Sequence, residues 1–196
     1  LYFYSEYIIF EGGYLIENFL PFKFSKRGLV PGLGDVVVFS GFLVTHIVSG
    51  IVCLVSGIFA MSYKKRRGKH TLAGEIYHGS YVLVFISAVV MSIVHWEESA
   101  YLFYIAVFSY ALAIMGYLAG KRRWKNWLGT HIGGMLGSYI GIVTATIVVN
   151  IPKVPVLNEI PVLIFWFMPT IIGTPFIIMV GQKYKPKKRT KPTHQV

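Results

Sequence analysis

Long stretches without charged residues constrain this chain of 196 residues more than any other feature. Five segments lack Asp, Glu, Lys and Arg, and each exceeds the roughly 20 residues that a helix needs to cross a bilayer. The segments are Val36–Tyr63, Ile76–Trp96, Ser99–Gly120, Asn126–Pro152 and Ile160–Gln182. Charged residues make up only 14% of the chain, against about a quarter in soluble domains. The sequence therefore predicts an all-α integral membrane protein, a bundle of five transmembrane helices.

These segments also divide the chain into three regions. Residues 1–33 are rich in tyrosine and phenylalanine, and we expect an extracytoplasmic, interfacial segment because tyrosine is favoured at the level of the lipid headgroups. Residues 34–182 are the predicted membrane domain, with spans at about 36–61, 72–96, 99–119, 127–150 and 160–181. Residues 183–196 are basic and contain few apolar side chains, so we expect a cytoplasmic tail.

The basic residues follow alternate spans. Fifteen of the 19 Lys and Arg residues come after the first, third and fifth spans, whereas seven of the eight acids fall at the other end of the bundle. Positive-inside bias then predicts an outside N-terminus and a cytoplasmic C-terminus. A basic face beside anionic lipid accounts for the formal charge of +11, so no nucleic-acid partner is expected.

Histidines inside the apolar segments are the best candidates for a functional site. His46, His78 and His131 lie in uncharged stretches, where an ionisable side chain is costly unless it faces the protein interior or a bound ion. With 1.5 Å of rise per residue, His131 and His78 lie roughly 9 and 13 Å from the preceding lysines, and His70 lies at the boundary. These three are expected to meet near the cytoplasmic face. His46 lies near the midplane, where a buried hydrogen bond is favoured over metal ligation.

Facing histidines favour a haem site. Two neutral imidazoles on neighbouring helices can supply both axial ligands of a b-type haem, here His131 with His78 or His70. Such a haem also needs room beside it and cations for its propionates, and the sequence offers Gly74, Gly79, Gly133, Gly134, Arg67 and Lys125. The leading hypothesis is therefore a redox component that carries haem b. The alternative metal site is zinc or copper on His70, His78 and His131, with His46 as a further candidate.

Other functions fit the sequence less well or use the same histidines differently. The chain has no H-E-x-x-H, G-x-S-x-G or P-loop motif, which weakens protease, lipase and ATPase hypotheses. A proton-coupled transporter should carry acids within its spans. The rival hypothesis is a non-catalytic assembly partner or small-molecule carrier, in which histidines serve helix packing or gating.

A row of small residues runs along the fourth predicted span. Gly129, Gly133, Gly137 and Gly141 recur every four residues, a pattern that lets two helices approach closely in lipid. We expect this row to pack against another helix, either of the same chain or of a second subunit in a homo- or hetero-oligomer.

Two motifs resemble a known family. His70-x-x-x-Gly74-x-x-Tyr77 and His131-x-x-x-Met135-x-x-Ser138-Tyr139, together with His46 in the first span, resemble the bacterial multi-pass membrane proteins called domain of unknown function 2306 (DUF2306). The likeness covers about residues 36–149. The resemblance points to His46, His70 and His131 as site residues, adds Tyr77 and Tyr139, and does not include His78. The family supplies no established activity.

The predicted orientation is directly testable. A reporter enzyme that works only in the periplasm, fused after Val196, should be inactive, because the basic loops hold the C-terminus in the cytoplasm. A cytoplasmic reporter at the same position should be active. The reverse pattern would contradict the topology.

Overall fold

Five long helices make up most of the chain that the structure describes. The computed structural model describes residues 33–66, 68–157 and 159–184. The helices are α1 (Leu33–Ser62), α2 (Lys69–Val94), α3 (Trp96–Arg122), α4 (Trp127–Asn150) and α5 (Val162–Lys183). Short 3-10 turns at Ile151–Lys153 and Pro155–Leu157 connect α4 to α5, and no strand occurs in these ranges.

Each of the five helices is long and apolar enough to cross a membrane. The membrane-spanning stretches are Val37–Ser62, Lys69–Val94, Ser99–Arg122, Trp127–Asn150 and Val162–Lys183. The prediction of an all-helical membrane protein with five spans is thus confirmed. The expected interfacial segment (residues 1–33) and basic tail (residues 183–196) lie almost entirely outside the described residues.

Tight turns at one end of the bundle position the histidines there. Gly68 has φ of 114°, a backbone conformation that suits glycine, so α2 starts at Lys69 and takes His70 into its first turn. Arg123 and Asn126 adopt left-handed conformations between α3 and α4. The chain therefore reverses within residues 123–126, and the first turns of α4 lie beside the last turns of α3.

The helices pack mainly against their neighbours in sequence. Close contacts join α1 to α2, α2 to α3, α3 to α4 and α4 to α5, and α1 also contacts α4. Helices α1 and α5 are not among the closely packed pairs. As a result, α4 contacts helices on three sides, whereas α5 packs on α4.

Helices α3 and α4 meet backbone to backbone. A Cβ added to Gly134 would lie 2.7 Å from Gly116 Cα, and one added to Gly116 would lie 2.6 Å from the Met135 nitrogen. The small-residue row predicted on α4 is only partly involved. Gly137 and Gly141 pack on α3, but a Cβ at Gly129 or Gly133 would meet nothing within 4 Å.

The core of the bundle is built from small and hydroxyl-bearing residues. Cys53, Tyr77, Ser87 and Ser138 are almost completely buried. Hydroxyls in hydrocarbon need partners, and most serines here donate to a carbonyl three or four residues earlier in their own helix. Cys53 is fully enclosed, and its thiol lies 3.7 Å from the Tyr77 carbonyl oxygen, as suits the small packing residue it was expected to be.

Gly134→Ala should destabilise the protein by about 1 to 3 kcal/mol, because its methyl group would force α3 and α4 apart. Gly133→Ala is the matched control on the same helix, and it should cost nothing, since alanine favours a helix by up to about 1 kcal/mol over glycine. Reversible unfolding in detergent measures both changes. Equal stability of the two variants would contradict the packing at Gly134.

Candidate functional site

A cavity of about 1020 Å³ lies at the end of the bundle where the basic residues gather. All five helices contribute to its wall: the last turns of α1, α3 and α5 and the first turns of α2 and α4. We call this end the basic end, defined by Lys64–Arg66, Lys121–Lys125 and Lys183. Both His70 and His131 lie on the cavity wall.

The rings of His70 and His131 lie close together, and a hydrogen bond to a backbone carbonyl fixes the orientation of each ring. The ring centroids of His70 and His131 are 6.4 Å apart, and the ring planes are at 87°. His70 Nδ1 lies 2.9 Å from the Ala60 carbonyl oxygen, and His131 Nδ1 lies 2.8 Å from that of Gly116. Because a carbonyl oxygen only accepts, Nδ1 carries the proton and donates in each ring. In the neutral form, each Nε2 therefore keeps a free lone pair.

Local features of the helices explain these two hydrogen bonds. Ala60 is in the last turn of α1, where carbonyls have no partner within the helix, and His70 supplies one. Lys65 caps the same end, with its Nζ donating to Ala60 and Met61 at 2.9 and 2.7 Å, and burial lowers the pKa of this amine. On α3, Gly120 makes room for His131, since a Cβ there would lie 2.8 Å from Nδ1.

His78 lies on a different side of α2. Its ring stacks on Tyr117 of α3 at 3.9 Å between centroids, with the planes 4° apart. Within the described part of the chain, His78 Nδ1 is buried without a hydrogen-bond partner. A step of eight residues turns a helix about 80° beyond two full turns, which carries His78 away from the face of His70. The structure brings His131 together with His70, and His78 is not on the cavity wall.

His46 forms the hydrogen bond expected of it. Its Nδ1 lies 2.9 Å from Ser87 Oγ, and this contact joins α1 to α2 near the middle of the bundle. Ser87 is almost completely buried, so the pair satisfies two polar groups that would otherwise lie in hydrocarbon. His46 is not on the cavity wall.

The tyrosines of the two sequence motifs form the floor of the cavity. Tyr77 shares a 2.8 Å hydrogen bond between hydroxyls with Ser138, and Tyr139 donates to the Leu54 carbonyl oxygen at 3.3 Å. Gly57 accommodates Tyr139, because a Cβ there would lie 2.6 Å from the ring. Tyr77, Tyr139 and Gly57 all line the cavity.

The glycines considered for a cofactor are separated in space. Gly74 lies on the cavity wall, and a Cβ at this position would meet nothing within 4 Å. Gly134 instead packs on Gly116, away from the cavity. Gly79 and Gly133 have open space at the Cβ position and are not on the wall.

Cations dominate the charge around the cavity. The described residues of the wall include five, namely Lys65, Arg66, Lys121, Arg123 and Lys183. Glu75 is the one carboxylate among those wall residues. It accepts a 2.7 Å hydrogen bond from the Tyr117 hydroxyl and forms an ion pair with Lys121 at 2.5 Å.

Arg67 and Lys125, the cations that the sequence suggested for haem propionates, are not among the described wall residues. Arg67 lies outside the described residues, and Lys125 is exposed and not on the wall. The basic residues that follow alternate spans predicted that cations gather at this end of the bundle. This pattern did not distinguish which side chains of each loop reach the cavity.

The donor set limits the kind of metal centre. Across residues 33–66, 68–157 and 159–184, no group of three or more His, Cys, Asp or Glu side chains could hold a metal ion. Of the three histidines expected to meet, His70 and His131 lie together on the cavity wall, whereas His78 does not lie on it.

No family model, curated protein or solved structure matches this chain. Its function must therefore be argued from the geometry of the cavity.

The Tyr77–Ser138 hydrogen bond should be measurable in a double-mutant cycle. Tyr77→Phe and Ser138→Ala should show a coupling of about 0.6 kcal/mol in unfolding free energy, the mean for such pairs in membrane proteins. Tyr77→Phe combined with Ser49→Ala should be additive, since Ser49 bonds within its own helix. Additivity in the first cycle would contradict the hydrogen bond.

Proposed function

We propose that this integral membrane protein is a redox component that binds one b-type haem in the cavity, and that His70 and His131 would hold it. The observation that carries this proposal is the pair of oriented imidazoles. Each ring donates its Nδ1 proton to a backbone carbonyl, which leaves Nε2 to bind a metal. Histidine ligands typically have such a second hydrogen bond, which fixes the tautomer and the ring orientation.

The two histidines that would hold the group lie close together. The ring centroids of His70 and His131 are 6.4 Å apart, and the ring planes are at 87°. Both rings lie on the wall of the same cavity. One ligand in the cavity could therefore contact both imidazoles.

The rest of the cavity suits an anionic, flat ligand. The volume is about 1020 Å³, and Gly74 leaves open space on the wall close to His70. Tyr77, Tyr139 and Met135 provide an apolar and aromatic floor, while Arg123 lies on the wall at the basic end. Arginine can bind a carboxylate, such as a haem propionate, with two parallel hydrogen bonds.

The chain's own residues would hold and tune the group. A bound haem supplies one-electron transfer. His70 and His131 hold it to α2 and α4, and the carbonyls of Ala60 and Gly116 increase the basicity of both imidazoles. Arg123 would favour the ionised propionates, and the apolar floor would exclude water.

We also propose which side of the membrane the basic end faces. Positive-inside bias places that end in the cytoplasm of a bacterial cell, with the protein in the inner membrane. The haem would then lie close to the cytoplasmic surface, within reach of a soluble electron donor or acceptor.

A non-catalytic role is the second candidate, and the same hydrogen bonds favour it. His70 joins α2 to α1, and His131 joins α4 to α3, so both side chains also serve helix packing. In that case the protein is an assembly partner or a carrier of a small molecule in the cavity.

Absorption spectra of the detergent-purified protein, oxidised and then reduced with dithionite, distinguish the two candidates. After expression with adequate haem supply, the wild type should show a Soret band that His70→Ala and His131→Ala abolish. His46→Ala and His78→Ala are the matched controls within the bundle and should retain the band.

Two results would contradict the haem assignment. A wild type without a Soret band overturns it, and elemental analysis of the same sample then tests for zinc or copper. Loss of the band in His78→Ala but not in His70→Ala would overturn the ligand pair and leave the haem.

A further inference from the structure

The side of the cavity between α1 and α5 is not closed by helix packing. These two helices are not among the closely packed pairs, yet both contribute to the wall, α1 with Met61 and α5 with Phe176 and Met179. Phe176 is 47% exposed and Met179 is 62% exposed, so apolar surface is exposed on this side. Phe176 lies seven residues before Lys183, which is roughly 10 Å along the helix. In a bilayer this surface would lie among the acyl chains of one leaflet, and we call this side of the cavity the opening.

The basic end of this opening carries excess positive charge. Arg66 follows α1 and Lys183 ends α5, and both belong to the wall. Among the described residues of the wall, the single carboxylate, Glu75, is already paired with Lys121. The cations beside the opening thus lack a carboxylate partner within the described wall.

We propose that this side of the cavity binds an anionic membrane lipid. The phosphate of the headgroup contacts Arg66 and Lys183, and an acyl chain leaves through the opening along Phe176 and Met179. Guanidinium and ammonium groups are the phosphate ligands that proteins use most, and arginine binds phosphate through two parallel hydrogen bonds. The apolar wall distinguishes this site from diffuse attraction of lipid to a basic surface.

This proposal does not rest on the haem. The lipid uses the α1–α5 side of the cavity, whereas His70 and His131 belong to α2 and α4. The protein can therefore lack haem and still bind the lipid, and the spectrum of each sample shows which of the two proposals has failed.

Native mass spectrometry of the purified full chain, with added phosphatidylglycerol or phosphatidylcholine, tests the site. The wild type should retain phosphatidylglycerol in preference to phosphatidylcholine. The double variant Arg66→Gln/Lys183→Gln should weaken phosphatidylglycerol binding by about tenfold or more, since both direct charge-assisted contacts with the phosphate would be lost.

The matched control is Lys64→Gln/Arg122→Gln. It removes the same charge from the same end of the bundle, at exposed residues that are not on the cavity wall. It should change the affinity by less than about threefold, because only diffuse attraction is lost. Equal losses in the two double variants, or no loss in either, would overturn the site.

A competition experiment distinguishes binding of the lipid from binding of free phosphate. Inorganic phosphate at millimolar concentration should leave phosphatidylglycerol bound, because it has no acyl chain to fill the opening. Displacement by phosphate alone would overturn the lipid as the occupant. If the site double variant fails to fold, Arg66→Gln and Lys183→Gln are measured singly, and each should still weaken binding more than Lys64→Gln does.

Discussion

The backbones of α3 and α4 touch at Gly116 and Gly134, and the candidate site depends on that contact. Without side chains at these positions, the carbonyl of Gly116 comes within hydrogen-bond reach of His131 on the neighbouring helix. Gly120, one turn further along α3, leaves the space that the imidazole fills. Helix association in lipid relies on packing and on interhelical hydrogen bonds, and this contact supplies both at the same place.

Polar groups in the interior also depend on hydrogen bonds between helices. A histidine or hydroxyl in hydrocarbon needs a partner, and the backbone carbonyls are the most abundant ones available. His70 uses a carbonyl that the end of α1 leaves unsatisfied, and His131 uses that of Gly116, where α3 and α4 are in close contact. His46 is satisfied by the hydroxyl of Ser87 instead, and this bond joins α1 to α2. The difference lies in position, since only the first two rings lie on the wall of a cavity.

The sequence allowed the five spans and the distribution of charge to be predicted, because hydrocarbon excludes charge along a whole segment. It also indicated a hydrogen bond at His46, whose depth matches no other histidine. The partner of His131 was left open between His70 and His78, since both lie near the same end of α2. The choice depends on helix rotation, and on Gly68, whose positive φ starts α2 early enough to include His70. The cavity itself could not be predicted, because no local pattern tells which helix α5 packs against.

The last turns of α5 contribute to the wall of the cavity, whereas His70 and His131 belong to α2 and α4. Substitutions at the wall positions Phe176 and Met179 can therefore reshape the space offered to a ligand without removing either imidazole. In evolutionary terms, the fit of the cavity and the chemistry of its ligands are free to change independently.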